Sequence, residues 1–178
     1  MAGALPLWSR VLLFTLLVPG SVLGLAPWLL LRIAQPGWRV DFAGAGLAGA
    51  AALALGLAVY AGCAIEFAAR GSGTPAPFDP PRRLVVSGLY RHVRNPMYVG
   101  VLLALAGESL LTRSLPLAVY AASFALAFHL RVVLHEEPAL QRAFGADFEA
   151  YRANVPRWLP RLPGWRPGRS SFRGSGAR

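Results

Sequence analysis

Glu136 and Glu137 stand side by side where a long apolar run ends. Two carboxylates drawn towards the end of an apolar helix need cationic partners, and Arg91 and Arg94 are the basic residues available on the same side. A carboxylate in such a place can hold an ammonium group or take a proton. An arginine there can hold a carboxylate. Asn95-Pro96 follows directly, and Asn at the cap with Pro in the first turn is a helix-start signal. The free N–H groups of that turn, beside two arginines, form an anion site. Tyr90 and Tyr98 flank it; their rings can face a cation or serve as anchors at a membrane–water boundary. Metal chemistry has little to draw on. His92, His129 and His135 show no ligand spacing, and Cys63 is the chain's single cysteine, which excludes a disulfide framework and a Cys-based zinc site. Cys63 is expected as a small buried apolar residue, and His129 as a hydrogen bonder between helices.

The elements that must position these residues are membrane spans. The chain has 178 residues, 55% of them hydrophobic and 15% charged, where about 25% charged is usual for soluble domains. Mean hydropathy is +0.46, which argues against both a soluble domain and disorder. Val11 to Leu31 is free of charge and long enough to cross a hydrocarbon core of about 30 Å. It lacks a clear cleavage site and more spans follow, so it reads as a helix, bent near Pro19-Gly20 or Pro27, and not as a signal peptide. Phe42 to Ile65 is a second span. Its small residues Ala48, Ala52 and Gly56, then Ala58 and Gly62, predict close approach of a neighbouring helix. Met97 to Leu111, short and containing Glu108, and Leu115 to Leu134 predict a hairpin within 95–134, closed by a tight turn at Thr112-Arg113-Ser114. The fold class is therefore all-α and integral to the membrane, with about four transmembrane helices.

All 18 basic residues are arginine, and they give a net charge of +10. They lie between and after apolar runs, not clustered on a soluble face, so nucleic acid binding is not expected. With Arg131 set aside at the end of a span, fourteen fall on the side holding both termini and three on the other, which predicts cytoplasmic termini. On that side, Thr74-Pro75-Ala76-Pro77-Phe78-Asp79-Pro80-Pro81 is expected to be an extended strap. Leu140, Phe144, Phe148, Tyr151 and Val155 then form one apolar stripe on a helix of about four turns, which either lies in the membrane interface or folds back as a lid over the hairpin's end, closing a cofactor pocket. Residues 161–178 are expected to be a disordered basic tail lying along anionic lipid. Three parts follow: two spans in 1–66, a functional core in 67–160, and the tail.

Leu84 to Pro160 resembles the isoprenylcysteine carboxyl methyltransferase and phospholipid methyltransferase family of integral membrane enzymes. The resemblance rests on Gly88-Leu89-Tyr90-Arg91, Arg94-Asn95-Pro96, Tyr98, Gly100, Glu136-Glu137, Phe144-Gly145, Tyr151, Val155-Pro156-Arg157 and Pro160, in that order. It departs from the family at Asn95, usually His, and at Phe148, often Tyr. Asn keeps the cap but does not titrate near neutral pH.

The resemblance implies methyl transfer from S-adenosyl-L-methionine to a lipophilic or small acceptor taken from the membrane lipid phase. The acceptor is a prenylcysteine-type carboxylate, a phospholipid amine or a thiol. It implies Arg94 and Glu137 as catalytic residues. Tyr90, Arg91, Asn95, Pro96, Tyr98, Gly100, Glu136, Glu137 and Tyr151 are implied to hold the cofactor, with no metal. The lysine-free, Ala/Arg-rich composition suggests a GC-rich genome and a bacterial inner membrane. The alternative is a non-catalytic membrane scaffold or subunit that keeps the fold.

Overall fold

The computed structural model describes residues 7–33, 38–39, 44–70 and 84–166. The proline-rich strap at 74–81 and tail residues 167–178 lie outside them. Among the described residues there is no strand, only an isolated antiparallel bridge between Arg39 and Ser114. Helices α1 (Leu7–Gly20) and α2 (Ala26–Ile33) are joined without a break by a π-helical turn at Ser21–Leu25. The turn lies between Pro19 and Pro27, the two prolines expected to bend this span, because each removes a ladder hydrogen bond. Helix α3 covers Ala45–Arg70, α4 Pro96–Thr112, α5 Leu115–Arg131 and α6 Glu137–Asn154. A second π-helical turn, Val132–Glu136, carries α5 directly into α6.

Three helical stretches are long and apolar enough to cross a membrane: Thr15–Ile33, Ala45–Glu66 and the one beginning at Leu115. The apolar α4, with 17 residues, is shorter. Leu12, Leu16, Leu47, Leu55, Val119 and Leu126 are all exposed, as the side chains of an integral membrane protein are when they face lipid.

Helix α4 lies hardest against α3, and glycine makes this possible. A Cβ on Gly56 would stand 2.5 Å from Ala104 N, and one on Gly49 would stand 2.9 Å from Gly107 O. The packing stripe is therefore Gly49, Gly56 and the buried Tyr60 and Cys63, near the seven-residue repeat of a close helix pair. The four-residue stripe expected from the sequence holds only in part. Gly56 belongs to the seam, Ala48 and Ala58 are exposed, and a Cβ on Gly62 would meet nothing within 4 Å. The expected turn forms as α4 gives way to α5. Arg113 takes a left-handed conformation, φ 54°, and the Ser114 side chain caps α5 by accepting from Leu117 N at 3.4 Å. Tyr60 of α3 with Val101 and Leu105 of α4 form a core, and Val22, Leu23, Phe124 and Phe128 pack around it.

A second, smaller core forms where α3 ends, α4 begins and α5 becomes α6. Phe148, Tyr151 and Val155 are buried there against Leu84, Val86, Leu140, Phe144 and Trp165. The predicted apolar stripe thus faces inward, onto Leu84, Val86 and Trp165. It is not one unbroken helix: Gly145, at φ 48° and ψ −120°, interrupts the helical path of α6, a conformation that glycine tolerates. The first residues of the expected tail also depart from expectation. Arg161 N donates to His92 O and Trp165 N to Arg91 O, both at 2.8 Å. The Trp165 ring also lies tilted against Tyr151, 6.0 Å between centroids. That ring contact and the two backbone bonds fasten 161–166 to the layer.

Candidate functional site

The α5–α6 junction sets Glu136 and Glu137 beside the first turn of α4. Glu137 Oε1 accepts from Arg94 Nη1 at 2.9 Å and from Arg157 Nε at 2.7 Å, and its Oε2 accepts from Arg157 Nη2 at 2.9 Å. The Arg94 and Glu137 side chains are 10% and 11% exposed, so this is a nearly buried pair with a second, fork-like guanidinium added. Glu137 lies on the first turn of α6, beyond the apolar run. Burial opposes its ionisation, but the hydrogen bond from Arg157 and the charges of Arg94 and Arg157 outweigh that. Its carboxyl is held below the usual range.

Glu136 faces the other way. It accepts from the Tyr98 hydroxyl and, at 2.8 Å, from Arg131 Nε. The Tyr98 ring stacks on Phe128 at 4.4 Å, which fixes where its hydroxyl points. The two glutamates therefore anchor separate networks, one through Arg94 and Arg157 and one through Tyr98 and Arg131.

The structure brings together Arg94, Asn95, Tyr98, Glu136 and Glu137 from the sequence expectation. Arg91 is not a partner of the glutamates: its Nε donates to Trp165 O at 2.9 Å. Asn95 occupies the cap position of α4 but makes no side-chain capping bond, because its Nδ2 donates to Arg157 O at 3.2 Å. Arg94 N donates to Pro156 O at 2.9 Å, so the same two chain segments are tied through both backbone and side chain. Pro96 is buried in the first turn of α4. Gly100 faces α3, where a Cβ would stand 2.9 Å from Gly56 O; close helix contact explains it. Tyr151 is 3% exposed and its hydroxyl donates to Tyr90 O at 2.7 Å. Burial raises the phenols of both Tyr90 and Tyr151 above their ordinary values, so neither offers a phenolate at neutral pH. His129 accepts from Trp158 Nε1 at 3.2 Å, which ties α5 to the segment after α6, not to a second helix.

Three residues escaped the sequence reading. Arg157 was visible only as part of Val155-Pro156-Arg157. Arg131 stands five positions before Glu136, too far along to be an obvious partner. Glu66, at the end of α3, accepts from Ser87 Oγ at 2.9 Å and lies where a Cβ on Gly88 would fall. Gly88 has φ 53°, so glycine is favoured there both by conformation and by the carboxylate.

Two features bear on ligands. Arg94 Nε is buried without a hydrogen-bond partner. A groove of about 400 Å³ runs between α4 and α5, lined by Val99, Leu102, Leu103, Ala125, His129 and Trp158. Val99 and Trp158 are chain neighbours of Tyr98 and Arg157, so the groove ends beside the charged networks. Among the described residues no group of three or more His, Cys, Asp or Glu could hold a metal ion.

This is a helical membrane protein with a cluster of arginine–glutamate pairs where α4 begins and α5 passes into α6. Residues 45–147 match the phospholipid methyltransferase family, more than half of the chain, and the protein belongs to that family. It is 31% identical over 80 residues to the protein-S-isoprenylcysteine O-methyltransferase of Schizosaccharomyces pombe, covering 45% of this chain and 34% of that one. It is also 36% identical over 101 residues to the cobalt-zinc-cadmium resistance protein CzcN of Cupriavidus metallidurans, covering 56% of this chain and 42% of the relative. The matches thus span less than half the length of either relative. No solved structure matches the chain.

Proposed function

We propose that the protein is an S-adenosyl-L-methionine-dependent methyltransferase of the bacterial inner membrane, with both termini in the cytoplasm and α4 as the fourth span. The observation carrying this reading is the double network at the start of α4, in a chain whose family is named for methyl transfer. The cofactor supplies a methyl group on a sulfonium, a reaction that needs alignment and exclusion of water. The residues present fit it. Buried Arg94 Nε lacks a partner, and the first turn of α4 beside it suits a carboxylate. Glu136 is the carboxylate for an ammonium group, and Tyr98 the ring beside the sulfonium. Arg94 and Glu137 fix the α4–α6 geometry at the reacting centre. The groove between α4 and α5 takes the apolar part of the acceptor.

The test is binding of S-adenosylhomocysteine to purified protein in lipid nanodiscs, by calorimetry. Micromolar binding is expected for wild type, weakened at least tenfold in Glu136→Gln. Well-folded wild type that binds nothing would sink the enzyme reading. What would then remain is a scaffold, the reading that Asn95 favours, because its side chain holds Arg157 O and does not titrate near neutral pH.

A further inference from the structure

After Glu149 the chain contains seven arginines and no acidic residue. The first part of this stretch is held in a fixed path. Arg161 N donates to His92 O and Trp165 N to Arg91 O. His92 Nδ1 pairs with Arg161 O at 2.9 Å, and Arg161 Nη1 donates to Asn154 O at 2.9 Å. Gly164 lies against the His92 ring, where a Cβ would stand 2.7 Å away. Pro160 and Pro163, whose rings fix φ, stiffen the tip among these ties.

That tip displays what a surface facing water avoids. Leu159 to Pro163 are exposed without interruption, and Leu159 and Leu162 are 78% and 82% exposed. Among the described large apolar residues only Leu47, on the membrane-crossing α3, is as open. Single exposed leucines are ordinary, but these two project from a fastened edge with Arg161 between them and Arg166 just beyond. Among the described residues no carboxylate pairs with either arginine. Glu149 takes Arg152, Glu136 takes Arg131, and the nearly buried Glu137 takes Arg94 and Arg157.

The edge also begins at the level of the membrane. Its neighbour Trp158 donates Nε1 to His129 Nδ1 at 3.2 Å. His129 precedes Leu130 and Leu134, the last exposed leucines of the apolar run through α5. The chain therefore turns into the edge at a depth where leucine still faces lipid.

We propose that Leu159-Pro160-Arg161-Leu162 docks on an anionic lipid surface. Both leucines enter the leaflet that α5 leaves, and Arg161 and Arg166 take the lipid phosphates. A guanidinium matches phosphate with paired hydrogen bonds, and the leaflet's negative potential draws it in. The contact is made by a stiff apolar edge, where the sequence predicts only a basic tail along lipid. Arg157 directly precedes Trp158 and grips Glu137 through two nitrogens. Docking thus steadies the segment on which that charged network rests, whatever reaction the protein carries out.

The experiment places an environment-sensitive nitrobenzoxadiazole label at Pro160→Cys in the full chain, leaving both leucines intact. Cys63 is fully buried, and the unsubstituted chain, treated identically, gives the background. The protein is held in nanodiscs of phosphatidylcholine, or of phosphatidylcholine mixed equally with phosphatidylglycerol. Two quenchers are compared: a doxyl group high on the acyl chain, and iodide in the water. Doxyl quenching is expected to be at least twofold stronger in the mixed nanodiscs, with iodide excluded there. The gain should be lost when Arg161→Gln and Arg166→Gln are combined. Doxyl quenching itself should vanish when Leu159→Ser and Leu162→Ser are combined, with helix content unchanged by circular dichroism. Quenching that survives loss of both leucines is the label's own affinity for lipid, and overturns the proposal. A label open to iodide in both lipids overturns it by placing the edge in water. Shielding from both quenchers overturns it in favour of a second copy of the chain on the edge. Equal doxyl quenching in the two lipids also overturns it, because the arginines then have no part.

Discussion

Along the α3–α4 seam, backbone meets backbone. Gly49, Gly56, Gly100 and Gly107 let the two helices approach until no Cβ would fit between them. Under α6, by contrast, side chains meet side chains, and the contacts that fix the geometry are charges: Arg94 and Arg157 on Glu137, Arg131 and Tyr98 on Glu136. In hydrocarbon there is no hydrophobic drive between helices, so close van der Waals approach has to supply the adhesion. At the water boundary, ion pairs can be made and remade as a ligand enters. The seam is suited to holding the site still and the α6 layer to changing partners.

The largest effect that separates them is expected at Glu137. Glu137→Gln leaves Arg94 and Arg157 facing a neutral group, and breaking a buried pair in this way costs about 3–5 kcal/mol. The loss should appear as a lower thermal midpoint in detergent. The same carboxylate sets an acid limit. Its folded pKa is depressed, so its contribution is present above the unfolded value of about 4.3 and is lost as pH falls through the folded value. Acid unfolding of wild type should therefore steepen below pH ~4, and the Glu137→Gln profile should be flatter there. A profile of equal steepness in the two proteins would contradict the assignment.

The seam predicts a contrast within one helix. Gly56→Leu should destabilise by about 1–3 kcal/mol or more through overpacking, since Ala104 N leaves no room. Gly62→Leu, on the open side of α3, should be nearly neutral. Chemical unfolding in mixed micelles would compare them, and equal losses would mean that α3 does not meet α4 along this face. The smallest effect is expected at Tyr151→Phe. It removes the 2.7 Å bond to Tyr90 O and should cost about 0.5–1.5 kcal/mol with helix content unchanged by circular dichroism.

Much of this was legible in the sequence, for identifiable reasons. Charge-free runs and Asn95-Pro96 mark where helices begin, and the stripe from Leu140 to Val155 marks the buried face of α6. Those are local signals. Pairing was harder to read. Arg94 and Glu137 were matched because both stand at helix ends on one side, but Arg157 reaches Glu137 only because the chain doubles back after α6, and no periodicity announces that. Arg91 looked equivalent to Arg94 until the segment at Trp165 proved to claim it. Nothing in the sequence marks Glu66, which simply follows an apolar run. The seam was misread because a four-residue spacing of small side chains was weighed, whereas two antiparallel helices in close contact repeat nearer seven.

The passage from α5 through the π-helical turn into α6 has a mechanical consequence. From Leu115 to Phe144 the chain is helical without a loop, and Glu136 and Glu137 sit on this stretch before the Gly145 interruption. A rod cannot change its tilt in the bilayer without carrying both glutamates along an arc, while the arginine at the head of α4 stays with the seam. Gly145 uncouples only the outer arm. The positions of the two glutamates are therefore set by the direction of α5, and the chain beyond Gly145 is free of that constraint.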